Sequence, residues 1–200
     1  MSEYALTTRL EAVNAMLSAI GAQPTNSLTG SVTPDVADAQ NILDEAAKRI
    51  QQRGWHFNTE HDVTLPRAAD NTITLSDNIL RVDEWEQGDY DVVQRGTQLY
   101  DAKNHTNTWT QSIKASVVYA LDWDQLPEPA RTVIFSAASR VFIGRKVGQD
   151  TAQYRDAVAN EGQAAMDLME HEGDTADHSI FDHWDFRAAV TRQSPLNQVL

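Results

Sequence analysis

The side chains best suited by type and spacing to do chemistry here are acids. Asp83, Glu84, Glu86, Asp89 and Asp91 crowd around one turn, with Trp85 among them. Two carboxylates flanking a glycosidic bond are enough to hydrolyse it, one as general acid and the other as nucleophile or base, and an adjacent indole can stack on a sugar. The chain carries 29 Asp plus Glu, however, so a cluster of this density arises by chance and no pair within it stands out. The histidines are His56, His61, His105, His171, His178 and His183. The last three lie in HEGDTADHSIFDHWDF with carboxylates between them, a composition that a metal ion could use. None forms the HExxH spacing that sets two ligands on one helix face, so solvated or interface histidines are the plainer reading.

Other signatures are missing from the sequence. There is no GxGxxG or GxxxxGK[ST] phosphate loop and no GxSxG nucleophile elbow. With no cysteine, disulfides, thiolate metal sites and cysteine nucleophiles are excluded together. We assign no catalytic, cofactor-binding or metal-ligating residue, and no cofactor. Lys114, Arg145 and Lys146 read as ordinary surface charges, and Trp85, Trp109 and Trp123 as core or interface anchors.

The charge balance narrows the partners. Sixteen Lys plus Arg against 29 acids give a formal net charge of −13, the opposite of the basic patch that a free-standing nucleic-acid binder needs. The N-terminal MSEYALTTRLEAV has no signal-peptide pattern, and no apolar run approaches a membrane span. The expectation is a soluble protein made in a reducing cytoplasm, with no membrane partner.

The elements that would position these residues begin with two helices. Over positions 8–20, Thr8 and Glu11 form a capping box, Leu10, Val13, Met16, Leu17 and Ile20 share a face, and Gly21 stops the run. A turn-rich stretch then leads to the second helix. There Thr33 caps, Pro34 takes the first position, and Val36, Ala39, Leu43, Ala46 and Ile50 recur at steps of three and four up to Gly54. Trp55 and Phe57 follow at strand spacing. The segments 62–65, 72–75, 79–85, 90–94, 98–100 and 112–120 are short, β-branched and aromatic, and broken by turn residues, with Arg95-Gly96-Thr97 as a tight hairpin. Helices return at Pro127-Glu128-Pro129 with a small-residue stripe that Gly144 or Gly148 ends. A last helix spans 150–170, with Tyr154, Val158, Ala165, Leu168 and Met169 inward. The fold class is α+β: a bundle of about four helices with an inserted antiparallel sheet and an extended C-terminal tail. The expected divisions are an N-terminal helical hairpin (1–60), a β subdomain (61–123), completing helices (124–172) and a docking tail (173–200). That tail carries Ile180, Phe181, Trp184, Phe186, Leu196 and Val199, more apolar surface than a solvated end needs.

Several stretches together resemble the tail tubular protein A family of short-tailed phages. They are LEAVNAMLSAIG, DVADAQNILDEAAKRIQQRGWHFNTE, NILRVD, RGTQLYDAKNHT and LPEPARTVIFSAASRVF, in that order and covering positions 10 to 172. The resemblance implies a structural virion protein of the tail, without catalytic residues. It further implies a homo-oligomeric ring of twelve that joins the portal above to the nozzle, tail tubular protein B, below. Such a ring leaves an axial channel through which DNA passes without specific binding, and it helps to present the tail fibres. On this reading the apolar tail residues are an interface, and part of the acidic cluster faces the channel or the nozzle. The competing expectation is a virion-associated polysaccharide-degrading enzyme built on paired carboxylates.

Overall fold

The computed structural model describes residues 5–85 and 90–175. Helix α1 is Arg9–Ala19 and α2 is Pro34–Gln51. Five strands follow: β1 Thr59–Leu65, β2 Ile79–Glu84, β3 Val92–Arg95, β4 Gln98–Asp101 and β5 Ile113–Tyr119. Helices α3 Glu128–Lys146 and α4 Ala152–Thr175 complete the described residues. The protein is α+β, with helices on either side of the strands in sequence, as expected.

The local chemistry explains where the helices start and stop. The Thr8 hydroxyl accepts the Glu11 N–H at 3.2 Å while the Glu11 carboxylate accepts the Thr8 N–H at 2.7 Å, a reciprocal capping box. The hydrogen bonds from Thr8 hold the Glu11 carboxyl below its ordinary pKa. Thr33 caps α2 with Pro34 in its first turn. The turn after α2 closes at Gly54, whose φ of +76° suits glycine. A Cβ there would also fall 2.7 Å from the Arg81 guanidinium and 3.0 Å from Val118.

Two apolar clusters hold the molecule together. The larger lies among the helices, around Val13, Met16, Leu17, Leu43, Ile134, Phe142 and Leu168. The other lies under the strands, around Ile73, Leu99, Trp109, Ile113, Ala115 and Val117. Each large side chain fully withdrawn from water contributes about 1.5–3 kcal/mol. Strand β5 is central in an antiparallel β1-β5-β2 sheet, and β3 and β4 form a separate hairpin turning at Gly96. β1 bulges between Glu60 and Val63, where Asp62 takes φ +58°.

Four details differ from the sequence reading, and a fifth decides which of two glycines ends α3. Trp55 and Phe57 are not on a strand: Trp55 caps a short 3₁₀ turn, His56–Asn58, before β1. The 72–75 segment buries Ile73 and Leu75 in alternation, as a strand would, but pairs only through an isolated bridge, Thr74 to Gln98. Gly144 lies inside α3, where a Cβ would come within 3.0 Å of Tyr154, and the chain turns at Gly148, φ +110°. On α4 the inward stripe is Ala157, Ala164 and Leu168, while Val158 and Met169 are 45% and 54% exposed. α4 has more apolar residues than one face can hold, and the helical phase set by Leu168 turns those two outward. Lys146, finally, is a clamp. Its ammonium meets Asp35 at 2.9 Å and Asp38 at 2.5 Å, tying the end of α3 to the first turns of α2.

Candidate functional site

The described members of the acidic cluster, Asp83, Glu84 and Asp91, lie along β2 and just before β3 rather than gathered into one pocket. Asp83 is exposed on β2, Glu84 is half-buried at its end, and Asp91 is exposed just before β3. Glu86 and Asp89 lie outside the described residues. The carboxylate of Asp83 accepts the neighbouring Glu84 N–H at 2.9 Å, a local contact. Beside it runs an open trough of about 610 Å³ between β2 and β3, lined by Arg81, Asp83, Val93 and Gln94 among others. The apolar tail residues Ile180, Phe181, Trp184, Phe186, Leu196 and Val199 also lie outside the described residues, as do His178 and His183.

The register of the sheet brings together residues that the sequence keeps apart. Asp83 stands opposite Ser116, so their side chains share a face. His61, in the β1 bulge, shares a 2.9 Å hydrogen bond with the Ser116 hydroxyl. Its ring lies against the Trp85 indole, with centroids 4.8 Å apart and planes tilted by 34°. Trp85 is 40% exposed. Lys114 on the same strand as Ser116 pairs with Asp62 of the bulge at 2.7 Å. The outer face of the sheet is therefore a polar surface with one aromatic stack, open to solvent. Trp109 and Trp123 are buried, in keeping with the anchor reading.

Electrostatics point the same way. Among the described residues three carboxyls have clearly displaced acidity, and all three are displaced downward by hydrogen bonds in caps and turns. Glu11 was described above, and Asp70 is lowered by the Thr72 hydroxyl and N–H. At Asp101 burial pushes the pKa up. Donation from the Asn104 side chain and from the N–H groups of Asp91, Asn104 and Lys103 outweighs it and holds the carboxyl low. A general acid of glycoside hydrolysis needs the opposite shift. Tyr119 is raised by burial and then by Glu60, and Arg140 by its hydrogen bond to Glu161. Among the described residues no three His, Asp or Glu side chains are grouped to hold a metal ion.

Sequence reasoning missed the buried polar groups. Arg131, 4% exposed, donates only to carbonyls: Leu126 at 2.9 Å, Thr7 at 2.8 Å and Asp124 at 3.0 Å. Glu128 accepts the Thr7 N–H at 2.9 Å and its hydroxyl, so the start of α3 grips the segment before α1. Asp101 had a readable signal, since Asp opening a turn of the form D-x-K-N accepts the following N–H groups. Arg131 had none: two of its carbonyls, Leu126 and Asp124, lie just upstream, but the Thr7 carbonyl comes from the far end of the chain.

What the described geometry offers, then, is an open polar sheet face on an α+β frame. Compared with known families, residues 10–178 match the model of the tail tubular proteins. The chain belongs to the tail tubular protein family. It is 27% identical over 163 residues to tail tubular protein A of Klebsiella phage KP34, a match covering 81% of this chain and 86% of that one. It is a structural component of a phage tail. No described helix is long and apolar enough to cross a membrane.

Proposed function

We propose that this chain is the adaptor subunit of a short-tailed phage: a homo-oligomeric ring, twelve-fold as the resemblance implies, joining the portal to the nozzle protein and enclosing part of the DNA ejection channel. The single observation that carries this is the family match across residues 10–178, together with the helix–strand–helix order on which it falls. Lateral contacts suit the helices, and the apolar residues between Ile180 and Val199 suit docking on the portal or an adjacent subunit in the assembled tail. Tail fibres are a further contact of the same assembly, and synthesis takes place in the host bacterial cytoplasm. The divisions 1–60, 61–123, 124–172 and 173–200 remain our proposal for how the chain is organised.

The net charge of −13 fits a conduit that lets DNA slide, since a basic lumen would hold phosphates through counterion release. We place part of the acidic cluster, Asp83 and Asp91 in particular, toward the channel or nozzle. Charge reversal of both to lysine should slow DNA ejection from assembled virions; unchanged ejection kinetics would remove the cluster from the channel. We read the protein as having no enzymatic role. Incubation with capsular polysaccharide tests that directly, and release of oligosaccharide that one carboxylate substitution abolishes would replace the structural reading with a hydrolase.

A further inference from the structure

A slot of about 230 Å³ opens between the second half of α4, the end of α2 and the turn after it, lined by Ile50, Trp55, Val133, Ala165, Leu168 and Met169. A cavity of about 150 Å³ already admits a benzene ring, so this one has room for an aromatic side chain. The Trp55 indole N–H is committed to the Ile50 carbonyl at 2.8 Å, which fixes the ring. Met169, 54% exposed, supplies a soft thioether wall. Arg49, Arg53 and Glu161 complete the rim. Glu161 is paired with Arg140. Among the described residues Arg49 and Arg53 form no ion pair. The slot therefore sets an apolar wall against a charged rim that is cationic on one side, which suits an aromatic residue flanked by acids.

The sequence beyond α4 has that pattern: Phe181, Trp184 and Phe186 alternate with Asp182 and Asp185. α4 is described to Thr175. Met169 lies about 9 Å back along the axis from there, and the residues from Phe181 to Phe186 can extend roughly 20–36 Å beyond it. We propose that in the unassembled chain the segment 180–186 folds back on its own α4 and seats an aromatic ring in this slot, with Asp182 and Asp185 against Arg49 and Arg53. Assembly then has to displace it before the segment can reach another protein. The docking stands or falls independently of the ring reading, because it concerns the isolated chain.

The absence of cysteine makes the test clean. Met169→Cys with His183→Cys is compared, in the full chain, with Asp167→Cys and His183→Cys, since position 167 lies at a similar height on nearly the opposite side of the helix. Under mild oxidation at low protein concentration, the first pair should form an intrachain disulfide at least about tenfold faster. Arg49→Glu with Arg53→Glu should remove that advantage, and adding Asp182→Lys with Asp185→Lys should restore it. Equal rates for the two cysteine pairs would overturn the proposal. So would a bridge that forms only between chains and rises with concentration, because a neighbour would then be the occupant. A charge swap without rescue would overturn the acid–arginine pairing.

Discussion

The side-chain amide of Gln51, at the end of α2, closes on the backbone of Leu121, the exit from the sheet. Its Nε2 donates to the Leu121 carbonyl at 3.2 Å and its Oε1 accepts the Leu121 N–H at 2.7 Å. Asn58 completes the joint, donating from Nδ2 to the Gln51 carbonyl at 3.0 Å and to the Tyr119 carbonyl at 2.8 Å. Two buried amides thus weld the helices to the strands, and any surface that spans both depends on them.

Gln51 is 2% exposed, so removing its amide leaves buried backbone groups without partners. Gln51→Ala should destabilise the chain by about 1–3 kcal/mol, read as a lower urea midpoint at unchanged slope. Gln51→Glu sets a buried carboxylate against the Leu121 carbonyl and should cost at least as much as Gln51→Ala. A midpoint unmoved by Gln51→Ala would mean that the joint contributes nothing.

Asp101 organises the turn after β4 through four hydrogen bonds. Its folded pKa lies below its ordinary value. Its contribution is therefore complete above the unfolded pKa of about 3.9 and is lost as pH falls through the lower folded value. Asp101→Ala should cost roughly 1–3 kcal/mol at neutral pH, and the gap to the parent should narrow in acid. A gap independent of pH down to complete protonation would contradict this.

Gly54→Ala places a Cβ on a left-handed residue and against the Arg81 guanidinium. The backbone term alone is about 1–2 kcal/mol, so a lower thermal midpoint is expected. Gly96→Ala, at φ +62° with open space around it, isolates that backbone term. Equal losses in the two variants would mean that Arg81 yields freely.

Lys146 tests electrostatics at the surface. Hydrogen bonds donated to Asp38 and then Asp35 raise its pKa. The stabilisation is therefore present below the unfolded value of about 10.4 and disappears as pH rises through the higher folded one. Lys146→Met should give a small loss at neutral pH that shrinks in high salt. A loss that persists at high salt would point to packing against Phe142 instead, whose ring centroid lies 5.8 Å from the ammonium.

Features set by local chemistry were legible from the sequence: the Thr8–Glu11 box, Pro34 at the start of α2, the Gly54 stop and the hairpin at Gly96. What the sequence hid depended on distant partners or on a surplus of signal. Val158 and Met169 satisfied the apolar spacing of α4 yet lie off the phase that Leu168 fixes. Ile73 and Leu75 alternate as in a strand, and burial alternates whether or not the backbone finds a ladder. Gln51, Asn58 and Arg131 are polar residues that turn inward because each meets at least one carbonyl from elsewhere in the fold, of Leu121, Tyr119 and Thr7 respectively. In the candidate site, the positions of Asp83, Glu84 and Asp91 on or beside strands followed from the pattern. The His61–Trp85–Ser116 contact required the register of three strands, which no single segment encodes.

The adaptor reading is tested most directly by the mass of the purified chain in light scattering, alone and then mixed with the portal of the same phage. The chain should join the portal as a closed ring, whether it is a monomer beforehand or already assembled. A chain that stays monomeric and leaves the portal unbound would contradict the adaptor role.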